Sequence, residues 1–174
     1  MVEVIIALGS NVGDRENNLR QAILGVNKER ETRIVRVSSV YETEPMYFEH
    51  QAWFLNCVVA AETLLRPTGL LGRLQELERK LGRQPGPKYG PRIIDLDILF
   101  YGNEVVTKPD LEIPHPRITE RPFVLVPMNE IRPNLIHPVL GLKVSELLAN
   151  VEAGEGVVKK PGMLADLGPS LSPR

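Results

Sequence analysis

Two aspartates one residue apart, Asp95 and Asp97, stand in the string Ile93-Ile94-Asp95-Leu96-Asp97-Ile98-Leu99-Phe100. Alternate residues of a strand share a face, so both carboxylates fall on one side and Ile94, Leu96, Ile98 and Phe100 on the other. A rise of about 3.3 Å per residue puts the acids about 6.6 Å apart along the strand. That spacing lets them converge on hard cations such as Mg²⁺, which takes oxygen ligands and keeps several waters. Paired ions about 3.5–4 Å apart recur in phosphoryl and nucleotidyl chemistry. A solvent-facing strand would show the same alternation. Arg92, beside a Pro/Gly loop rich in cations, favours a polyphosphate between the acids and the bases.

No G-x-x-x-x-G-K-[ST] and no G-x-G-x-x-G after a strand is present, so backbone phosphate cradles are missing. Any phosphate must be neutralised by side chains, and Arg83, Lys88, Arg92 and Arg121 are the candidates. From Arg66 to Arg92 seven basic residues face two acids, a local +5 in a chain whose remainder sums to −6. Such a stretch is an anion site or a solvated helix face. His115 stands between Pro114 and Pro116 on stiff, extended backbone, as a ligand contact or a surface histidine. His50 and His137 show no metal-ligand spacing. Thr43, Glu44, Pro45 and Met46, with Phe54, Asn56, Tyr89 and Phe123, would suit a flat heterocycle, although the aromatics would equally serve as core.

The elements that must position these groups follow from periodicity. Val2 to Leu8 is a β-branched apolar run and predicts a buried strand. The Gly9-Ser10-Asn11 turn and Asp14, placed to cap, precede a helix whose apolar face is Leu19, Ala22, Ile23 and Val26. Strands are expected over Arg33–Tyr41 and Ala52–Glu62, the latter carrying Asn56 in an otherwise apolar row. Pro67 suits the first turn of a helix striped by Leu70, Leu71, Leu74, Leu77 and Leu81 and ending near Gly82. The Pro/Gly loop from Arg83 to Pro91 leads into a strand over Arg92–Tyr101. Strand, helix, strand, strand, helix, strand is the ferredoxin-like βαββαβ order, an α+β fold with an antiparallel sheet and helices on one face. Beyond it, the pattern predicts a hairpin around Val105 and Leu111, a short strand at Phe123–Val126 and a short helix at Val144–Val151. One catalytic domain over residues 1–151, then a loose Gly/Pro/Ser-rich tail over 152–174, is the expected organisation.

Composition agrees with this. The 174 residues carry 21 basic and 22 acidic side chains, 43% hydrophobic and 25% charged. That is one ordinary globular domain. The net charge of −1 argues against coating nucleic acid by bulk charge. No apolar run approaches the ~20 residues of a membrane span, and the N-terminus does not read as a signal peptide. Cys57, the single cysteine, cannot make an internal bridge. A soluble cytoplasmic protein is the expectation.

Taken together these residues resemble the 6-hydroxymethyl-7,8-dihydropterin pyrophosphokinases of folate synthesis. The match runs from Ala7-Leu8-Gly9-Ser10-Asn11 through Tyr41-Glu42-Thr43, Phe54-Leu55-Asn56 and Gly82-Arg83 to Gly90-Pro91-Arg92-Ile93-Ile94-Asp95-Leu96-Asp97-Ile98. It continues through Pro114-His115, Arg121 and Phe123-Val124-Leu125-Val126-Pro127. The G-P-R-x-x-D-L-D-I string followed by P-H is highly specific, whereas the G-S-N turn alone is generic. The resemblance implies transfer of the terminal diphosphate of MgATP to the pterin hydroxymethyl oxygen, with release of AMP. It implies that Asp95 and Asp97 hold two Mg²⁺ and that Arg83 and Arg92 are catalytic. Gln75, Glu78, Arg83, Arg92, Ile98, His115 and Arg121 match positions that contact ATP. Thr43, Glu44, Pro45, Met46, Phe54, Asn56, Tyr89 and Phe123 match the pterin pocket, the ring stacking between Tyr89 and Phe123. The implied partners are these small molecules, with no nucleic acid and no membrane, and the implied state is a monomer. Two other readings of the residues stand beside it. One is a ferredoxin-like RNA module stacking bases on Phe54 and Tyr89, and the other a metal-binding regulatory domain.

Overall fold

The computed structural model describes residues 1–152 and 156–171. Its core follows the expected order: β1 (Val2–Ser10), α1 (Arg15–Lys28), β2 (Thr32–Val37), β3 (Val40–Thr43), β4 (Phe54–Thr63), α2 (Pro67–Lys80) and β5 (Asp95–Tyr101). Every pairing in the main sheet is antiparallel, with β1 between β5 and β4, and β4 also pairing with β2 and β3. This is the α+β, ferredoxin-like arrangement. The stretch read as one strand over 33–41 is divided at Ser38-Ser39, where Ser38 Oγ takes the Val58 N–H at 2.9 Å in place of a ladder partner.

Local chemistry explains the two helices of the first face. Asp14 accepts from the Asn17 N–H and caps α1, whose Leu19, Ala22, Ile23 and Val26 are buried against the sheet. Pro67 opens α2, which buries Leu70 and Leu74. The helices pack closely because Gly25 lacks a side chain: a Cβ there would lie 2.5 Å from Leu77 Cδ1.

The second face departs from the sequence reading. It is covered by α3 (Pro122–Ile131) and α4 (Val144–Ala149), whose Val124, Leu125, Met128, Ile131, Val144 and Leu147 pack on Ile5, Val58, Ala60 and Phe100. The segment expected as a strand at Phe123–Val126 is thus the start of a helix. Its β-branched run favours extended backbone, but burial of an apolar helix face on an uncovered sheet outweighs that propensity. Phe100 also changes face. The β1–β5 register shifts between Ile5 and Ile6, leaving Leu99 as an extra residue, so Phe100 turns into the second cluster while Ile94, Leu96 and Ile98 stay in the first. The expected hairpin is β6 (Val106–Lys108) with β7 (Leu111–Ile113).

The segment expected as a loose tail adds a sheet strand. β8 (Val157–Lys160) pairs with β3, and Leu164 and Leu167 enter the first-face core. Asp166 lies 3.3 Å from Arg20 on α1. A few apolar residues and an edge strand to pair with order a polar sequence that composition reads as tail. Residues 153–155 and 172–174 of that expectation lie outside the described residues. Among the described residues no helix is long and apolar enough to cross a membrane.

Candidate active site

The sheet register assembles the site. Gly9 of β1 pairs with Asp95 of β5 on one side and Asn56 of β4 on the other, while Ala7 pairs with Asp97. Both aspartates, Ala7, Gly9, Asn56 and Thr43 therefore form the floor of one cleft of about 390 Å³ at this end of the sheet. Gly9 is required there by space. A Cβ would lie 2.6 Å from Asn56 Oδ1, so only glycine lets the amide lie across β1. Asn56 Nδ2 donates to Thr43 Oγ1 at 2.6 Å, which fixes the amide's orientation.

Loops build the rim. Arg83 donates to Asp95 at 2.9 Å and to Glu78, which is buried on α2 and also accepts from the Leu96 N–H. Arg92 is folded against its own loop, donating to the Pro87 and Pro91 carbonyls at 2.9 and 3.0 Å. Asn11, 5% exposed, ties the loops together. Its Nδ2 donates to Gln51 Oε1 and the Ala52 carbonyl, and its Oδ1 accepts the Arg92 N–H at 2.8 Å. Gln51 in turn donates to the Tyr89 carbonyl at 2.8 Å. The Glu44 N–H donates to the Gly156 carbonyl at 2.9 Å, so the C-terminal segment braces the loop after β3.

Electrostatics separate the two acids from the histidine. Burial, and then the Asp95 carboxylate beside it, push Asp97 up to about 7 from an ordinary 3.8, against the pull of Arg121 and Arg83. Burial and the Arg121 charge push His115 down to about 4, so it is neutral near pH 7. Its Nδ1 accepts the Arg117 N–H at 3.2 Å, which assigns the proton to Nε2.

All the residues singled out in the sequence line this cleft except Gln75, Glu78 and Ile98. Gln75 is exposed on α2. Glu78 sits behind Arg83 as its anchor, and the Ile98 side chain is in the first-face core, opposite the aspartates. The cleft also takes in Tyr47, Gln51 and Arg117, which sequence reasoning missed. The loop holding Tyr47 and Gln51 has no periodicity to mark it. Arg117 follows Pro114-His115-Pro116, and that adjacency was the one available signal. Asn11 was read as turn chemistry, although its two-ended amide suits a tether.

A paired-acid floor facing guanidinium groups, with an oriented amide and aromatic rings alongside, is set into an α+β protein of ferredoxin-like topology. The sequence matches the 7,8-dihydro-6-hydroxymethylpterin-pyrophosphokinase (HPPK) family over residues 5–133, and the chain belongs to that family. It is 48% identical over 126 residues to the 2-amino-4-hydroxy-6-hydroxymethyldihydropteridine pyrophosphokinase of Bacillus subtilis, covering 72% of this chain and 75% of that one. It is 50% identical over 129 residues to the mitochondrial folate synthesis bifunctional protein of Pisum sativum, covering 74% of this chain. The chain spans only 25% of that longer relative and 20% of the folic acid synthesis protein of Pneumocystis carinii. The fold is shared with wild-type Plasmodium falciparum HPPK-DHPS, with a TM-score of 0.70 at 17% identity over 91% of this chain and 47% of that one.

Proposed function

We propose that this protein transfers diphosphate from MgATP to the hydroxymethyl oxygen of 6-hydroxymethyl-7,8-dihydropterin, giving AMP and the pterin diphosphate in folate biosynthesis. The observation that carries this is the pairing of Asp95 and Asp97 on one floor, opposite Arg83, Arg92 and Arg121, beside the Thr43–Asn56 amide. The catalytic unit in this reading is a cytoplasmic monomer that takes in, beyond the expected residues 1–151, the C-terminal strand paired with β3 and the core residues Leu164 and Leu167.

The chemistry asks for alignment and charge neutralisation more than for covalent participation. The hydroxymethyl oxygen bonds to the β-phosphorus, the bond from that phosphorus to the α–β bridging oxygen breaks, and the hydroxyl proton passes to solvent. Asn56, held by Thr43, presents donor and acceptor to the amide-like edge of a pterin. His115 holds its proton on Nε2 and can donate to a phosphate oxygen without adding a charge. Arg83, anchored by Glu78, and Arg121 lie where negative charge develops. Arg92 reaches the phosphates only by releasing the Pro87 and Pro91 carbonyls, which joins its arrival to movement of the loop. No side chain is placed as a strong base.

The donor set fits Mg²⁺. Among the described residues no group of three or more acidic, histidine or cysteine side chains is placed to hold a metal ion; a pair of carboxylates suits an ion that draws its other ligands from phosphate and water. Asp97, held partly neutral by burial and then by its neighbour's charge, gains most from a cation. Mg²⁺, two ions in this reading, supplies neutralisation of the triphosphate and polarisation at phosphorus. Incubating the protein with MgATP and the pterin should give AMP only when both substrates and Mg²⁺ are present. ATP breakdown indifferent to the pterin, or no AMP, would falsify the reading.

A further inference from the structure

The C-terminal segment lies beyond residues 5–133, over which the chain matches its family, yet it touches a residue of the cleft. It wraps one edge of the sheet. α4 packs on the second face, β8 pairs with β3 at the edge, and Leu164 and Leu167 are buried in the first-face core. Its far end is held to α1, where Asp166 meets Arg20 and the Leu164 N–H donates to Glu16 Oε1 at 3.4 Å. Val157 faces Thr43 in the ladder. The same register carries on one step, where the Glu44 N–H donates to the Gly156 carbonyl at 2.9 Å. Glu44 is the first residue past β3, and it lines the cleft.

β3 is held unevenly. At its start, Tyr41 and Ser39 are bonded to Glu130 on α3. At its end stands Thr43, the last residue of β3 to pair with β4, and its hydroxyl fixes the Asn56 amide at 2.6 Å. A short strand bonded along one side frays at its end. The ladder to β8 supplies the other side for Thr43 and Glu44. Gly156 lies close under Glu44, since a Cβ there would be 3.1 Å from Glu44 Oε2. Pro45, buried and fixed in φ, then carries the chain along the cleft wall.

We propose, on the reading of the cleft as a pterin site, that the C-terminal strand positions the pterin-binding groups from outside the cleft. By pinning Thr43 and Glu44 it keeps the Asn56 amide oriented before substrate arrives. Among the described residues none of β8 lines the cleft, so the strand acts through β3. With the ladder loosened, the pterin binds only the molecules in which Thr43 stays paired. Its apparent Kd is then the intrinsic value divided by that fraction. The acids of β5 are separated from β3 by β1 and β4, so the phosphate side of the cleft is spared.

The test uses the full chain substituted at Val158, whose side chain is 46% exposed, so that the backbone is what changes. Bonded pairs alternate along an antiparallel ladder, and Val158 with Glu42 is the next bonded pair after Gly156 with Glu44. Val158→Pro removes the N–H of that pair, and Val158→Gly keeps it but loosens the strand. Val158→Thr keeps both the N–H and a β-branched side chain. The pterin KM should rise about tenfold for Val158→Pro and about threefold for Val158→Gly, with kcat and the KM for ATP unchanged. Val158→Thr should match the unaltered protein, and hydrogen exchange at the Glu44 amide should quicken in the order Thr, Gly, Pro. An unchanged pterin KM in a folded Val158→Pro, or an equal rise in the KM for ATP, overturns the proposal. Should Val158→Pro not fold, Val158→Gly decides, and a pterin KM equal to that of Val158→Thr is the overturning result. Unaltered protein that makes no AMP from MgATP and the pterin removes the pterin reading instead, whatever the exchange rates at Glu44.

Discussion

Along the floor of the cleft, Asp95, Gly9 and Asn56 lie side by side because three strands pair in register, whereas along the rim Arg83, Tyr89 and Arg92 are held by side chains and loop carbonyls. A floor residue can be moved only by moving a strand, and the ladder hydrogen bonds of both neighbours resist that. A rim residue can exchange one partner for another at small net cost, since each hydrogen bond contributes about 0.5–1.5 kcal/mol. Under the proposed function the acids thus stand where a cation and phosphates would be received, while the arginines and rings would change partners on ligand binding. Glu78 spans the two regions, accepting from a floor N–H and anchoring a rim guanidinium.

The sharpest way to break this contrast is at the floor. Asp97→Ala should lower turnover by about 10²–10³, the size of one lost electrostatic group at a transition state, without lowering the melting temperature. A variant that turns over normally removes the metal assignment. Next comes Gly9→Ala, whose Cβ would press on Asn56 Oδ1. It should raise the pterin KM about tenfold, since about 1.4 kcal/mol of lost contact is a factor of ten, with little change in the KM for ATP. A rise confined to ATP would place Asn56 elsewhere in the chemistry. Glu78→Gln tests the link between floor and rim. It should lower kcat about tenfold, as losses of orienting partners do, and leave the pterin KM alone; the opposite split would make Glu78 a structural acid only.

The smallest effect is in stability. The folded Asp97 holds its proton up to about 7 while the unfolded side chain releases it near 3.8. A raised carboxyl pKa means that ionisation opposes folding. The cost is absent below about pH 4, grows between 4 and 7, and is complete above. Asp97→Asn in chelator-treated buffer should therefore melt a few degrees higher than the unaltered protein at pH 8, and the gain should vanish by pH 4. Thermal scans across that range decide it, and a constant or reversed difference would mean that neither burial nor the Asp95 charge strains the ionised Asp97.

Much of the floor was legible before any coordinates. Alternation from Ile94 to Ile98 placed Asp95 and Asp97 together, and the Leu19–Val26 and Leu70–Leu81 stripes placed both helices of the first face. The errors have a common origin. Phe100 was assigned to the wrong face because a bulge at Leu99 breaks the alternation only when β5 meets β1. Phe123–Val126 was assigned to a strand because helix α3 exists to cover a sheet face that periodicity cannot display. Tyr47, Gln51 and Arg117 carry no pattern, and they join the site through loop contacts between residues distant in sequence.

By itself the amino-acid order determined which residues alternate, which helices form and which chemical groups are at hand, because backbone sterics and side-chain spacing act over a few neighbours. Only the folded chain decided that Gly9 must lack a side chain, that Asn11 would join two loops, that the C-terminal segment would pair with β3, and that a tyrosine would lie against Tyr89. Each of these depends on surfaces meeting across the sheet, and such meetings are fixed by three-dimensional packing of the whole core.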